Sequence, residues 1–167
     1  MSEPAITEAV VAEIISRWKF IHRVVSDNAR RSTEDPADYA EPNEKRLVYE
    51  LRFTDMRDRD AHLQLHARLE KAIAGVFPRP MPGVSLRFCG RRIRGLNWNH
   101  RHDDRFGGVN VGIVRGWHEK VWTNADQDKH IIDINGQVRN TDMLSLISFC
   151  CDRWNIEAPQ QLRIGDI

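Results

Sequence analysis

The chain has 167 residues, 41% of them hydrophobic and 29% charged, with a formal net charge of +1. That length suits one domain with a sizeable core. The near-neutral balance excludes a polycation, so any attraction to nucleic acid has to come from a local patch.

No apolar run approaches the roughly eighteen residues of a membrane span. The opening Met-Ser-Glu-Pro lacks the basic flank and apolar core of an export signal. The expectation is a cytoplasmic protein with no membrane partner. Three cysteines, Cys89, Cys150 and Cys151, are odd in number and lack C-x-x-C spacing. They fit neither a disulfide framework nor a thiolate zinc site, and the adjacent pair reads as small core residues.

In chain order, residues 5–31 read as a long amphipathic helix, with Ile6, Val10, Ile14, Trp18, Ile21 and Val25 at three- and four-residue spacing. Thr7 and Glu8 favour its start, and Arg30 and Arg31 suit its end. Such a helix is a candidate element for a protein partner or a homodimer. Residues 32–46 form a polar loop punctuated by Pro36 and Pro42. Leu47–Phe53 alternates as a half-buried strand does. A second helix is expected over about 58–77, with Leu65, Leu69, Ala72 and Val76 as its stripe and Pro78-Arg79-Pro80 as its stop.

Residues 84–134 carry strand signals almost throughout, broken at Gly90, Gly107-Gly108, Asn124-Ala125-Asp126 and Asn135-Gly136. A last helix is expected over 141–154, capped by Thr141 or Asn140, and Gln161–Ile164 reads as a short edge strand. The sum is an α+β fold. It has an antiparallel sheet of four to five strands, mostly within 84–134, covered by helices at about 5–31, 58–77 and 141–154.

Chemistry-bearing residues concentrate in Leu96-Asn97-Trp98-Asn99-His100-Arg101-His102-Asp103-Asp104. In an extended chain Leu96, Trp98, His100, His102 and Asp104 share one face. His118 comes alongside only if the neighbouring strand has a suitable register, and His130 is a fourth histidine of interest.

Three readings compete. His100, His102 and Asp104 have residue types and spacing able to hold a divalent metal, which would acidify a bound water. His100, His102 and His118 could instead share acid and base roles in metal-free phosphodiester cleavage, as in a ribonuclease. In the third reading the histidines are ordinary strand-surface residues. The pair His62 and His66, spaced four apart on the expected second helix, reads as surface histidines.

Six arginines fall between Arg87 and Arg105 against only Asp103 and Asp104. Arg91, Arg92, Arg94 and Arg101, with Trp98 as a stacking ring, suit a phosphate-containing ligand, most simply single-stranded nucleic acid. Phosphate-loop, serine-hydrolase elbow and dinucleotide fingerprints are all absent. The sequence thus leaves three functions open: a small phosphodiesterase, a non-enzymatic module binding nucleic acid or an acidic protein, and a small-molecule pocket.

Overall fold

A computed structural model describes residues 4–27, 46–58, 61–70, 81–98, 105–106, 108–110, 116–139 and 142–157. Among them are two α-helices, a short 3-10 turn at Asn135–Gln137, and ten strands in a single mixed sheet. The helices are α1 (Glu8–Ser16) and α2 (Met143–Arg153). The strands are β1 (Lys19–Asp27), β2 (Arg46–Phe53), β3 (Leu63–Glu70), β4 (Met81–Phe88), β5 (Arg91–Trp98), β6 (Arg105–Phe106), β7 (Val109–Asn110), β8 (Trp117–Thr123), β9 (Gln127–Asp133) and β10 (Ile156–Glu157).

Their order across the sheet is β10-β1-β2-β3-β4-β5-β8-β9-β6-β7. The run from β1 to β5 is an antiparallel meander that continues through β8 and β9, whereas β10 on β1 and β6 on β9 pair in parallel. A four-to-five-strand sheet under three helices is therefore not the architecture; strands predominate.

Among the described residues, β1 and β3 stand where two helices were expected, for different physical reasons, and residues 28–31, 59–60 and 71–77 of those expected helices lie outside the described residues. The helix read over 5–31 ends at Ser16, because Arg17 turns extended (φ −82°, ψ 136°) and the chain enters β1. Two register shifts in the β1–β2 pairing, between Ile21 and Arg23 and between Val24 and Ser26, break the two-residue alternation. The broken pattern imitates a helical repeat. The aromatic and β-branched run Phe20-Ile21…Val24-Val25 was the strand signal beneath it.

Over 58–77 the spacing of Leu65 and Leu69 also imitates a helix. Leu63, Leu65 and Ala67 instead alternate inward, fully buried between β2 and β4. His62 precedes β3 with a positive φ of 48° and His66 lies within the strand, so the two are not the i, i+4 pair of a helix face. The described length of α1 leaves no 5–31 helix to serve as a dimer element. Its stripe, Val11 and Ile14, is spent on this protein's own core.

The strand at Leu47–Phe53 and the last helix fall close to where expected. Thr7 caps α1, its hydroxyl accepting from the Val10 amide at 3.3 Å. Asp142, not Thr141 or Asn140, caps α2: its carboxylate accepts from the Ser145 amide at 2.9 Å and hydroxyl at 2.7 Å. Those bonds hold its pKa below the usual carboxylate range. Cys150 and Cys151 are fully buried. Burial pushes the Cys151 thiol up to about 12 and raises Cys150 as well, so neither forms a thiolate readily. The loop read at 32–46 and the edge strand read at 161–164 lie outside the described residues, apart from Arg46 at the start of β2.

Both helices cover one face of the sheet. Leu47, Tyr49, Leu51, Phe53, Leu65, Leu86, Leu96, Leu146, Ile147 and Trp154 meet there in one core. Reciprocal bonds tie the start of α1 to the β8–β9 turn: the Glu8 amide donates to Asn124 Oδ1 at 3.0 Å, and the Asn124 amide to Glu8 Oε1 at 2.9 Å. Among the described residues no helix is long and apolar enough to cross a membrane.

Candidate functional site

The β4–β5 connection is two residues long, Cys89 (φ 49°) and Gly90 (φ 77°). Two successive positive φ values make the tight hairpin whose twist matches that of the strands. The turn sets Phe88 opposite Arg91 and Arg87 opposite Arg92, and a bulge beyond them then moves the register so that Leu86 stands opposite Arg94.

Arg87, Arg91 and Arg92 converge with Gly90, Trp122 and Asp128 on a cleft of about 290 Å³. Arg87 Nη1 donates to the Gly90 carbonyl at 3.1 Å. The Arg91 guanidinium lies over the Trp122 ring, 4.7 Å from its centroid, and reaches Gln127 Oε1 at 3.5 Å. Arg92 Nη2 donates to the Asp128 carbonyl at 3.3 Å and its carboxylate at 3.2 Å. Arg92 Nε is buried with no acceptor among the described residues.

A guanidinium has five N–H donors in a fixed plane. Stacking on Trp122 occupies the face of Arg91 and leaves its N–H edges directed sideways. An ammonium on a flexible stem would not be aimed in this way.

Gly90 is required by the turn itself. A side chain there meets nothing within 4 Å, so Gly90→Ala isolates backbone strain. It is expected to lower stability by about 1–2 kcal/mol, read as a shifted urea midpoint. An unchanged midpoint would show that the hairpin tolerates an L-residue at this φ.

The remaining residues singled out from the sequence are dispersed. Arg94 lies on the core side, 3.8 Å from the Glu119 carboxylate, and its side chain is 16% exposed. Trp98 packs edge-on against Trp117, with centroids 5.5 Å apart and planes at 69°, and rests on the core rather than facing outward. Leu96 and Trp98 do share a face, as parity requires. His118 stands opposite Asn97 in the β5–β8 register, fully buried, with Nδ1 3.5 Å from the Gly116 carbonyl.

His130 Nδ1 is 2.7 Å from the Asp126 carboxylate. The other Asp126 oxygen accepts from the Gly108 amide at 2.6 Å, so this buried carboxylate pins the β8–β9 turn to the β6–β7 turn. His100, Arg101, His102 and Asp104 lie outside the described residues. No group of three or more His, Cys, Asp or Glu able to hold a metal occurs among the described residues.

From the sequence, Arg87 counted only as a member of the basic run, Trp122 only as a ring able to line a small-molecule pocket, and Asp128 was not singled out. The available signal was the hairpin itself: a two-residue turn at 89–90 forces Arg87 across from Arg92. Trp122 and Asp128 come from later strands, and no local pattern joins them to that turn.

A second cleft of about 390 Å³ lies between α1 and the sheet, lined by Val10, Ile14, Arg17, Phe53, Asp58 and Phe88 among others. Its arginine is already committed: Arg17 pairs with Asp55 at 2.7 Å and Asp58 at 2.9 Å and stacks on Phe53 at 3.5 Å. The arginine's bonds hold the Asp55 carboxyl well below the usual carboxylate range. No family model, curated protein sequence or solved structure matches this chain.

Proposed function

We propose that this protein binds a phosphate-bearing ligand, single-stranded nucleic acid foremost, in the Arg87–Arg91–Arg92 cleft. The observation that carries the reading is the convergence of three guanidinium groups on one small polar cleft, with a buried donor on Arg92 that no described residue satisfies. Phosphate oxygens are the acceptors that guanidinium geometry matches best. The outward face of Arg91 can also stack with a base, since guanidinium planes serve as platforms in single-strand recognition.

Binding without catalysis is favoured over phosphodiester cleavage by His118, which is fully buried and lines neither of the two clefts described. The apolar cleft at α1 is a weaker candidate for this ligand, because its arginine already neutralises two aspartates.

The test is fluorescence anisotropy with a labelled single-stranded oligonucleotide over a range of salt concentrations. Arg91→Ala/Arg92→Ala is expected to weaken binding at least about tenfold. It should also flatten the salt dependence by about 1.4 units of slope, as two lost phosphate contacts at roughly 0.7 each on a single strand require. Affinity indifferent to salt, or unchanged in the double variant, would overturn the reading.

A further inference from the structure

We infer that the cleft takes a phosphomonoester, the phosphorylated end of a strand, rather than a phosphodiester from its interior. The inference rests on the reading above and narrows it by charge and by size.

Three arginines and one aspartate line the cleft, so its fixed charge is +2 at neutral pH. Arginine does not lose its proton in this range. An interior phosphodiester carries one negative charge, whereas a terminal phosphomonoester carries between one and a half and two. Only the terminal group balances the cleft. Asp128 already sits against Arg92 at 3.2 Å, and a carboxylate in that position repels an anion. A singly charged phosphodiester gains less from the arginines to offset that repulsion than a dianion does.

Size agrees. About 290 Å³ lies at the lower limit of ligand pockets. It accommodates a phosphate with its sugar but not the path of several nucleotides. The hairpin turn forms one wall, and because position 90 is glycine, the space where a side chain would stand is empty to 4 Å. A terminal phosphate can therefore approach the turn closely.

The donors also fit a group with three free oxygens. Arg91 has one bonded nitrogen, Nη2 to Gln127, and Arg92 one, Nη2 to Asp128. Each therefore retains the two N–H donors of its Nη1 for an incoming ligand, and Arg92 Nε is buried with no acceptor among the described residues.

The experiment compares one oligonucleotide sequence in three forms: 5′-phosphorylated, 3′-phosphorylated, and hydroxyl at both ends. All are titrated against the full chain by anisotropy, with the label placed internally. One phosphorylated form is expected to bind at least tenfold tighter than the hydroxyl form. Arg92→Gln and, separately, Arg91→Gln should each reduce that advantage to under threefold, with thermal melting confirming that each variant folds. Competition by a nucleoside monophosphate as effective as the phosphorylated oligonucleotide would also support the phosphomonoester and identify a free nucleotide as its source.

Equal affinity for all three forms, with dependence on Arg91 and Arg92 intact, would overturn this inference and leave the nucleic-acid reading standing. Failure of every oligonucleotide and of the mononucleotide to bind would remove both.

Discussion

Glu119→Ala is expected to destabilise the protein by about 3–5 kcal/mol, the cost of removing one partner from a buried charge cluster. Glu119 is 4% exposed on β8. Its two oxygens accept from Arg153 Nε at 2.7 Å and from Trp154 Nε1 at 2.8 Å, with Arg94 Nε 3.8 Å away. Burial lowers the Arg94 pKa, and the Glu119 charge acts against that lowering.

Without the carboxylate, Arg94 keeps its charge in a largely desolvated position and the Trp154 N–H loses its acceptor. Glu119→Gln should cost less, because the amide oxygen still accepts from Trp154. Urea unfolding of the three proteins measures the order. A loss below about 1 kcal/mol for the alanine variant would mean that the cluster contributes little. The same cluster explains why Arg94, one of the arginines in the basic run, is not a free hand for phosphate: it belongs to the lock between α2 and the sheet.

The second large effect depends on pH. Lys19 is fully buried at the end of α1, its ammonium donating to the carbonyls of Ile14 at 2.6 Å, Ile15 at 3.4 Å and Arg17. It satisfies acceptors that a helix C-terminus leaves open. Burial pushes its pKa down to about 7, and the nearby Arg17 charge adds to the shift.

The lysine of an unfolded chain stays protonated up to about 10.4. Between about pH 7 and that value the unfolded chain binds a proton that the folded protein has released, so stability rises with pH. Wild type is expected to gain about 2–3 kcal/mol from pH 7 to pH 9 relative to Lys19→Met, in which nothing titrates at this position. Denaturation curves at pH 6, 7, 8 and 9 measure the difference. A constant gap between the two proteins would contradict the shift. The methionine variant should also be the less stable at high pH, because the end of α1 then lacks its cap.

Strand or helix was decided in this chain by more than local pattern. Leu47–Phe53 and the helix at 143–153 were readable because their periodicities are clean and their neighbours obey them. The chain at 19–27 was not, because two bulges break its alternation, and bulges are a property of the pairing with β2. The chain at 63–70 carries a pattern compatible with both periods, and burial between β2 and β4 selects the strand.

The candidate site divides in the same way. Arg91 and Arg92 were visible as members of a basic run. Arg87 joined them because Cys89 and Gly90 make a two-residue turn, and Trp122 and Asp128 joined because β8 and β9 lie next to β5. Arg94 and Trp98, indistinguishable from the others by sequence, point at the core.

Composition and the basic run between 87 and 105 are matters of sequence alone, because they are sums over residues and need no partner. The sequence thus determined that positive charge is concentrated in one run of the chain, and that the adjacent Cys150 and Cys151 are core residues rather than staples. Only the tertiary structure decided which arginines face the cleft. Facing is a matter of register, and in a sheet a shift of one residue reverses every side chain.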